Sequence, residues 1–169
     1  MESSEWPHKR RLRLLFDECC SSRLPRELSD FYRVDYPDLE VRHLLQDYKP
    51  GTIDPDWLKP LKDDRTWIVI TKDSGRKSAQ DKLPLICKEW GITHIALTAN
   101  LIHAGFTTYK NALVAVWPQL FLLHRLPPGT CVKLGMGRLR GDIPCFELRI
   151  KGKSLTSVLE AQPCDQPNS

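Results

Sequence analysis

Apolar residues in this chain come in short, almost wholly apolar runs rather than in strict alternation. Leu12-Arg13-Leu14-Leu15-Phe16 and Trp67-Ile68-Val69-Ile70-Thr71 are the clearest. Runs of that length, rich in branched and aromatic side chains, suit strands buried on both faces of a parallel sheet. Both runs end in acids, at Asp17-Glu18 and at Asp73. In a parallel sheet all carboxyl ends share one edge, and open α/β folds bind their ligands in the crevice there. Acids far apart in sequence can therefore meet.

The pattern between and after these runs alternates strand with helix. A strand over residues 11–16 is followed by Ser21-Ser22, a helix start, and by a helix through Leu24, Leu28 and Phe31, with Pro25 tolerated in the first turn. Residues 39–45 read as a weaker strand and 46–52 as a polar loop. Asp54-Pro55-Asp56-Trp57 predicts a helix with Asp54 at the N-cap and Pro55 at the first helical position, shortened by Pro60. After the strand at 67–71 come a helix over 78–90 closed by Gly91, a strand over 92–97 and a longer helix over 108–124. Strand and helix at this spacing imply βαβ units and a mostly parallel sheet. Past Pro127-Pro128-Gly129 the style changes to two strands, 131–134 and 145–150, separated by a Gly-rich basic stretch at 135–141. The expected organisation is a flexible leader at 1–10, one domain at 11–125, a basic C-terminal β extension at 126–153 and a disordered tail at 154–169.

A chain of 169 residues supports one well-buried core. The formal net charge of +4 gathers in Lys9-Arg10-Arg11, in Arg76-Lys77 and between Arg138 and Lys153, a balance that suits a polyanion beside an acidic site. The six cysteines show no Cys-x-x-Cys spacing and are assigned no chemistry. Met1 to Lys9 is polar with no apolar stretch after it, so reduced thiols in the cytoplasm are expected. The longest apolar stretch, 112–123, is interrupted by Pro118 and Gln119 and is too short to span a bilayer.

The candidate chemistry lies in five carboxylates, Asp17, Glu18, Asp54, Asp56 and Asp73. Carboxylates held together repel unless a cation neutralises them, and hard oxygen ligands suit Mg2+ or Mn2+. Such a site supports hydrolysis of a phosphodiester. Three of these acids also have a structural alternative: Asp54 as a helix cap, Asp56 as a complement to the helix dipole, Glu18 as a solvated side chain. Lys72, Arg76 and Lys77 flank Asp73 as candidate phosphate contacts. His8, His43, His94, His103 and His124 show no metal-binding spacing and are expected to be satisfied or exposed.

Three segments carry a resemblance. Leu14-Leu15-Phe16-Asp17-Glu18, then Pro50-Gly51-Thr52-Ile53-Asp54-Pro55-Asp56-Trp57, then Trp67 to Asp73 resemble, in order and spacing, the PIN-like nuclease domains found among VapC-type toxins. The resemblance covers residues 11–125. It implies a three-layer α/β/α sandwich, a Mg2+- or Mn2+-dependent endoribonuclease acting on RNA, and inhibition by a cognate antitoxin protein. It also implies metal binding by Asp17, Asp54 and Asp73, with Glu18 and Asp56 assisting. The chain departs from the pattern at Gly75, where many PIN domains carry a further acid. Arg138, Arg140, Arg149, Lys151 and Lys153 lie outside the resemblance and are candidates for gripping RNA or an antitoxin; self-association is left open. Alternatives are a non-catalytic PIN-like binding domain and a phosphoreceiver-like domain. A receiver also places acids after strands one and three, but Ser74-Gly75-Arg76-Lys77 does not match its loop.

Overall fold

The computed structural model describes residues 11–64, 66–73, 83–137 and 144–161. Among them seven strands form one sheet in the order β2-β1-β3-β4-β5-β6-β7. β1 (Arg13–Phe16), β2 (Glu40–His43), β3 (Trp67–Thr71), β4 (His94–Leu97) and β5 (Cys131–Met136) run parallel, while β6 (Phe146–Ile150) and β7 (Lys153–Ser154) close the sheet antiparallel. The helices are α1 (Arg23–Tyr32), α2 (Asp54–Leu58), α3 (Leu83–Trp90), α4 (Ala99–His103), α5 (Phe106–Ala115), α6 (Trp117–Leu120) and α7 (Leu155–Glu160).

Successive strand residues point to opposite faces, and both faces of β1 and β3 are filled. Leu14, Phe16, Ile68, Ile70, Ile95, Leu97, Val132 and Leu134 join α1, α5, α6 and α7 in one core. Leu15, Trp67 and Val69 point the other way, onto Trp57 and Leu58 of α2 and Leu83, Ile86 and Cys87 of α3. The result is a three-layer α/β/α sandwich, and all five residues of β3 are buried. Truncating a central side chain such as Leu14, which has no exposed surface, would cost about 2–5 kcal/mol.

Several elements differ from the sequence reading for identifiable reasons. The helix expected over 108–124 is broken into α5, α6 and a 3-10 turn at Leu123–Arg125, because Pro118 removes a donor and disfavours helical geometry before it. α4 was not anticipated; its five residues are too few to show a helical period. Phe31, read in line with Leu24 and Leu28 along α1, is 66% exposed, and Tyr32 takes the inward position, stacked on Trp117 with ring centroids 3.8 Å apart. The Ser21 hydroxyl accepts the Arg23 N–H, whereas Ser22, which stands at the N-cap, makes no side-chain cap bond. The expected helix over 78–90 is described only from Leu83, and Gly91 ends it with φ +71° as anticipated.

The C-terminal region is the largest correction. β5 is no appendage: it pairs in parallel with β4, and Val132 and Leu134 belong to the main core. The expected tail begins instead with β7 and α7, whose Leu155 and Leu159 are buried in that core. A tight turn at Lys151-Gly152, both at positive φ, makes the β6–β7 hairpin. Ser154 caps α7 by accepting the Ser157 N–H. Residues 1–10 and 162–169, expected as leader and tail, lie outside the described residues.

Candidate functional site

The chain leaves β1 toward β2 on one side of it and returns to β3 on the other. Connections that diverge in this way open a crevice at the carboxyl ends of the two central strands. Asp17 follows β1 directly and Asp73 follows β3 by two residues, so both acids stand at that edge. Asp17 extends the ladder, its N–H donating to the Ile70 carbonyl at 3.0 Å. Its side chain shares a sheet face with Leu15, as Thr71 does with Val69, and the two meet.

The Thr71 hydroxyl donates to Asp17 Oδ2 at 2.8 Å and accepts the Asp73 backbone N–H at 2.9 Å. The Cys19 thiol donates to the same Oδ2 at 3.0 Å and accepts the Lys72 N–H at 3.2 Å. Two crosslinks thus tie the turn after β1 to the segment after β3. Asp17 Oδ1 accepts no hydrogen bond from any described residue. Hydrogen bonding from the buried Cys20 thiol holds the Cys19 thiol below its ordinary pKa, against the opposing effects of burial and Asp17. The same contact, with burial, pushes Cys20 up.

The turn carrying these groups is braced from β2. His43 is buried; its Nδ1 accepts the Leu45 N–H at 3.2 Å, which places the ring proton on Nε2, and Nε2 donates to the Cys20 carbonyl at 3.0 Å. Glu18 is exposed and accepts the Gly51 N–H at 3.0 Å, which draws the 50–54 loop and the start of α2 toward the turn. Asp54 is half-buried, is the first helical residue rather than the cap, which is Ile53, and accepts from Trp57 Nε1 at 3.2 Å. Asp54 and Asp17 are both near enough to Cys87 to add to the rise that burial causes in its pKa.

The five acids therefore do not gather as one cluster. Asp17 and Asp73 are joined through Thr71. Glu18 serves the loop, Asp54 turns to its own tryptophan, and Asp56 is exposed. Among the described residues no three His, Cys, Asp or Glu side chains stand close enough to hold a metal ion, so the expected Asp17–Asp54–Asp73 triad is not assembled. Lys72 alternates in direction with Thr71 and lays its Nζ 4.8 Å from the Tyr109 ring centroid, while Arg76, Lys77 and Gly75 lie outside the described residues. A cavity of about 540 Å³ opens at the opposite, amino edge of the sheet, between residues such as Leu12, Ile68, Leu120 and Pro128, with no acid in its lining.

Thr71 and Cys19 were not singled out from sequence. A signal for Thr71 was present: it stands two positions before Asp73, on the inward face of the strand bearing that acid. His43 conforms to the expectation of a satisfied histidine. His94 does not: it has no exposed surface, and among the described residues neither ring nitrogen finds a well-aligned hydrogen-bond partner, the Ile92 backbone being the nearest polar influence.

Residues 12–88 match the PIN like domain family. That segment holds β1, β2, α2 and β3 with Asp17, Asp54 and Asp73, and its similarity is to a PIN-like domain. No curated protein and no solved structure matches the chain. No helix among the described residues is long and apolar enough to cross a membrane.

Proposed function

We propose that this PIN-like domain is a Mg2+- or Mn2+-dependent endoribonuclease, with Asp17 and Asp73 as its principal acids. The observation that carries the reading is the Asp17–Thr71–Asp73 linkage at the carboxyl edge, where the fold opens its crevice. Nuclease activity is common among PIN-like domains. The narrower setting, a toxin held by a cognate antitoxin in the cytoplasm, is supported by the resemblance of the three motifs alone.

The donor chemistry fits a hard divalent cation, in reduced form. Magnesium usually takes one or two carboxylates and fills its remaining positions with water and substrate phosphate. Asp17 and Asp73 would hold it, with Asp54 close by at the start of α2. Such an ion, when bound, neutralises phosphoryl charge and acidifies water.

The chain's own residues have separate tasks in this mechanism. Thr71 and Cys19 occupy Oδ2 of Asp17 and so fix the carboxylate plane, leaving Oδ1 to act as acceptor. Water would attack phosphorus in line as the bond to the leaving oxygen breaks, the attacking water's proton passing to a carboxylate at this edge and the leaving oxygen taking a proton from solvent. Glu18 and His43 position the loops that carry the acids rather than touching substrate.

The decisive comparison is wild type against Asp73→Asn on structured and single-stranded RNA, with manganese and with chelator. Cleavage by the wild type with manganese alone, lost in the variant, is the expected result. Equal cleavage by both proteins would remove the assigned site.

A further inference from the structure

The register of the sheet sets one row of residues running away from the acids. Asp17 lies beside Thr71, Thr71 pairs with Ala96, Ala96 with Lys133, Lys133 with Arg149, and Arg149 with Ser154. Residues paired across strands project to the same face. The row therefore keeps to the face on which α2 and α3 pack, and it leads from the acids across five further strands.

The α2–α3 layer does not follow it that far. The core beneath these helices takes residues from β1 and β3 and none from β5 or β6. On β5 burial alternates, with Val132 and Leu134 buried on the covered face and Cys131 and Lys133 exposed on the other. Arg149 is exposed there too. Among the described residues no helix packs on β5 or β6 from this side, and the face carries cations there rather than apolar residues.

These cations are placed against their own electrostatic interest. Lys133 and Arg149 are directly opposed in an antiparallel pair, with side chains starting about 5 Å apart, and like charges so placed destabilise a sheet. Glu147, on the same face, forms an ion pair with Arg149 and offsets only one of the two charges. An anion lying over the pair would relieve the repulsion. At about 4.8 Å per strand, Lys133 lies three steps and roughly 14 Å from Asp17, and Arg149 four steps and roughly 19 Å, a span of a few nucleotides.

We propose that Lys133 and Arg149 form a track for the phosphate backbone of single-stranded RNA whose bound strand extends to the acids at Asp17 and Asp73. The proposal rests on the ribonuclease reading for the identity of the polyanion. Charge complementarity and the shared row favour a nucleic-acid strand over an acidic polypeptide, since only the former has a reason to reach the acidic end.

The test uses the full chain and a fluorescent twelve-residue oligouridylate, with chelator present so that binding is read without cleavage. Anisotropy titrations at several salt concentrations compare wild type with Lys133→Ala, Arg149→Ala and Glu147→Gln, with poly-glutamate as a second probe. Each phosphate contact on a single strand contributes about 0.7 to the salt slope, which corresponds to roughly fivefold in affinity at 0.1 M salt relative to 1 M. Lys133→Ala and Arg149→Ala should each weaken binding by about that factor and lower the slope by about 0.7. Glu147→Gln should tighten it. Both alanine variants alter exposed side chains, and melting temperatures no lower than that of the wild type would verify their folding. Unchanged RNA affinity and slope in both would overturn the track while leaving the nuclease reading standing. Loss confined to poly-glutamate would also overturn it, in favour of a protein partner. A wild type that fails to bind the oligonucleotide would remove both proposals, whereas one that binds through Lys133 and Arg149 without cleaving under manganese would keep the track and remove hydrolysis.

Discussion

Thr71 donates its hydroxyl proton to Oδ2 of Asp17 across the gap between β1 and β3, at 2.8 Å. The Thr71 hydroxyl oxygen in turn accepts the backbone N–H of Asp73, so one buried side chain links the two acid-bearing segments. Replacing Thr71 by valine keeps the shape and removes both bonds. A hydrogen bond to a charged group contributes about 1.5–3 kcal/mol, and the buried Asp17 carboxylate would lose one of its two donors. Thr71→Val should therefore lower unfolding free energy by about that amount and reduce manganese-dependent cleavage at least tenfold, while Thr71→Ser should restore most of both. Denaturant titration beside a cleavage assay checks the pair.

His94 gives the expected pH dependence. Its ring is fully buried at the start of β4, and burial holds its pKa below the ordinary 6.5 against the weaker opposing effect of the Ile92 backbone. On acidification the unfolded chain takes up this proton first, so the group's contribution is intact above pH 6.5 and is lost as pH falls below it, at up to about 1.4 kcal/mol per pH unit. His94→Leu removes the titrating group together with its two buried ring nitrogens. We expect the variant to be no less stable than wild type at pH 7 and distinctly more stable at pH 5, measured by denaturant titration across that range. A constant difference at all pH values would count against this account.

Gly129 precedes β5 with φ +76°, and a β-carbon there would stand 2.7 Å from the Lys88 carbonyl oxygen and 3.1 Å from its α-carbon. Backbone atoms at the end of α3 cannot rotate aside as a side chain could. Gly129→Ala combines that contact with left-handed geometry, a cost of about 2–3 kcal/mol. For a chain of this size the melting temperature should fall by roughly 4 to 12 °C. Because this junction lies at the opposite edge from the acids, cleavage per folded molecule should be unchanged at low temperature.

Much of this architecture could be read from pattern, and the failures have physical causes. Strands buried on both faces, such as β1 and β3, announce themselves as almost wholly apolar runs, and their shared carboxyl edge follows from parallel pairing alone. Asp17 and Asp73 could therefore be placed together without coordinates. The angle at which a side chain leaves the backbone cannot be read that way, so the bonds that Glu18 and Asp54 accept, from the Gly51 N–H and from the Trp57 indole N–H, emerge only with the fold. Thr71 and Cys19 escaped notice because an ordinary strand threonine and a cysteine without metal spacing acquire meaning only once the two strand ends are juxtaposed. β5 was mistaken for part of an extension because only one of its faces is covered, so it alternates like a strand of a separate antiparallel sheet.

Glu18 separates two roles that sequence alone could not. As a metal ligand it would need its negative charge; as an anchor for the 50–54 loop it needs only an acceptor for the Gly51 N–H, which it now meets at 3.0 Å. Glutamine supplies that acceptor without charge, and alanine does not. If Glu18 anchors the loop, Glu18→Gln should cleave RNA within about threefold of wild type with an unshifted manganese requirement, because one hydrogen bond is kept in kind. Glu18→Ala should release the start of α2, lower cleavage by roughly tenfold and expose residues 50–54 to faster amide exchange. A glutamine variant that needs much more manganese than the alanine variant's loss of anchoring can explain would return Glu18 to the ligand set.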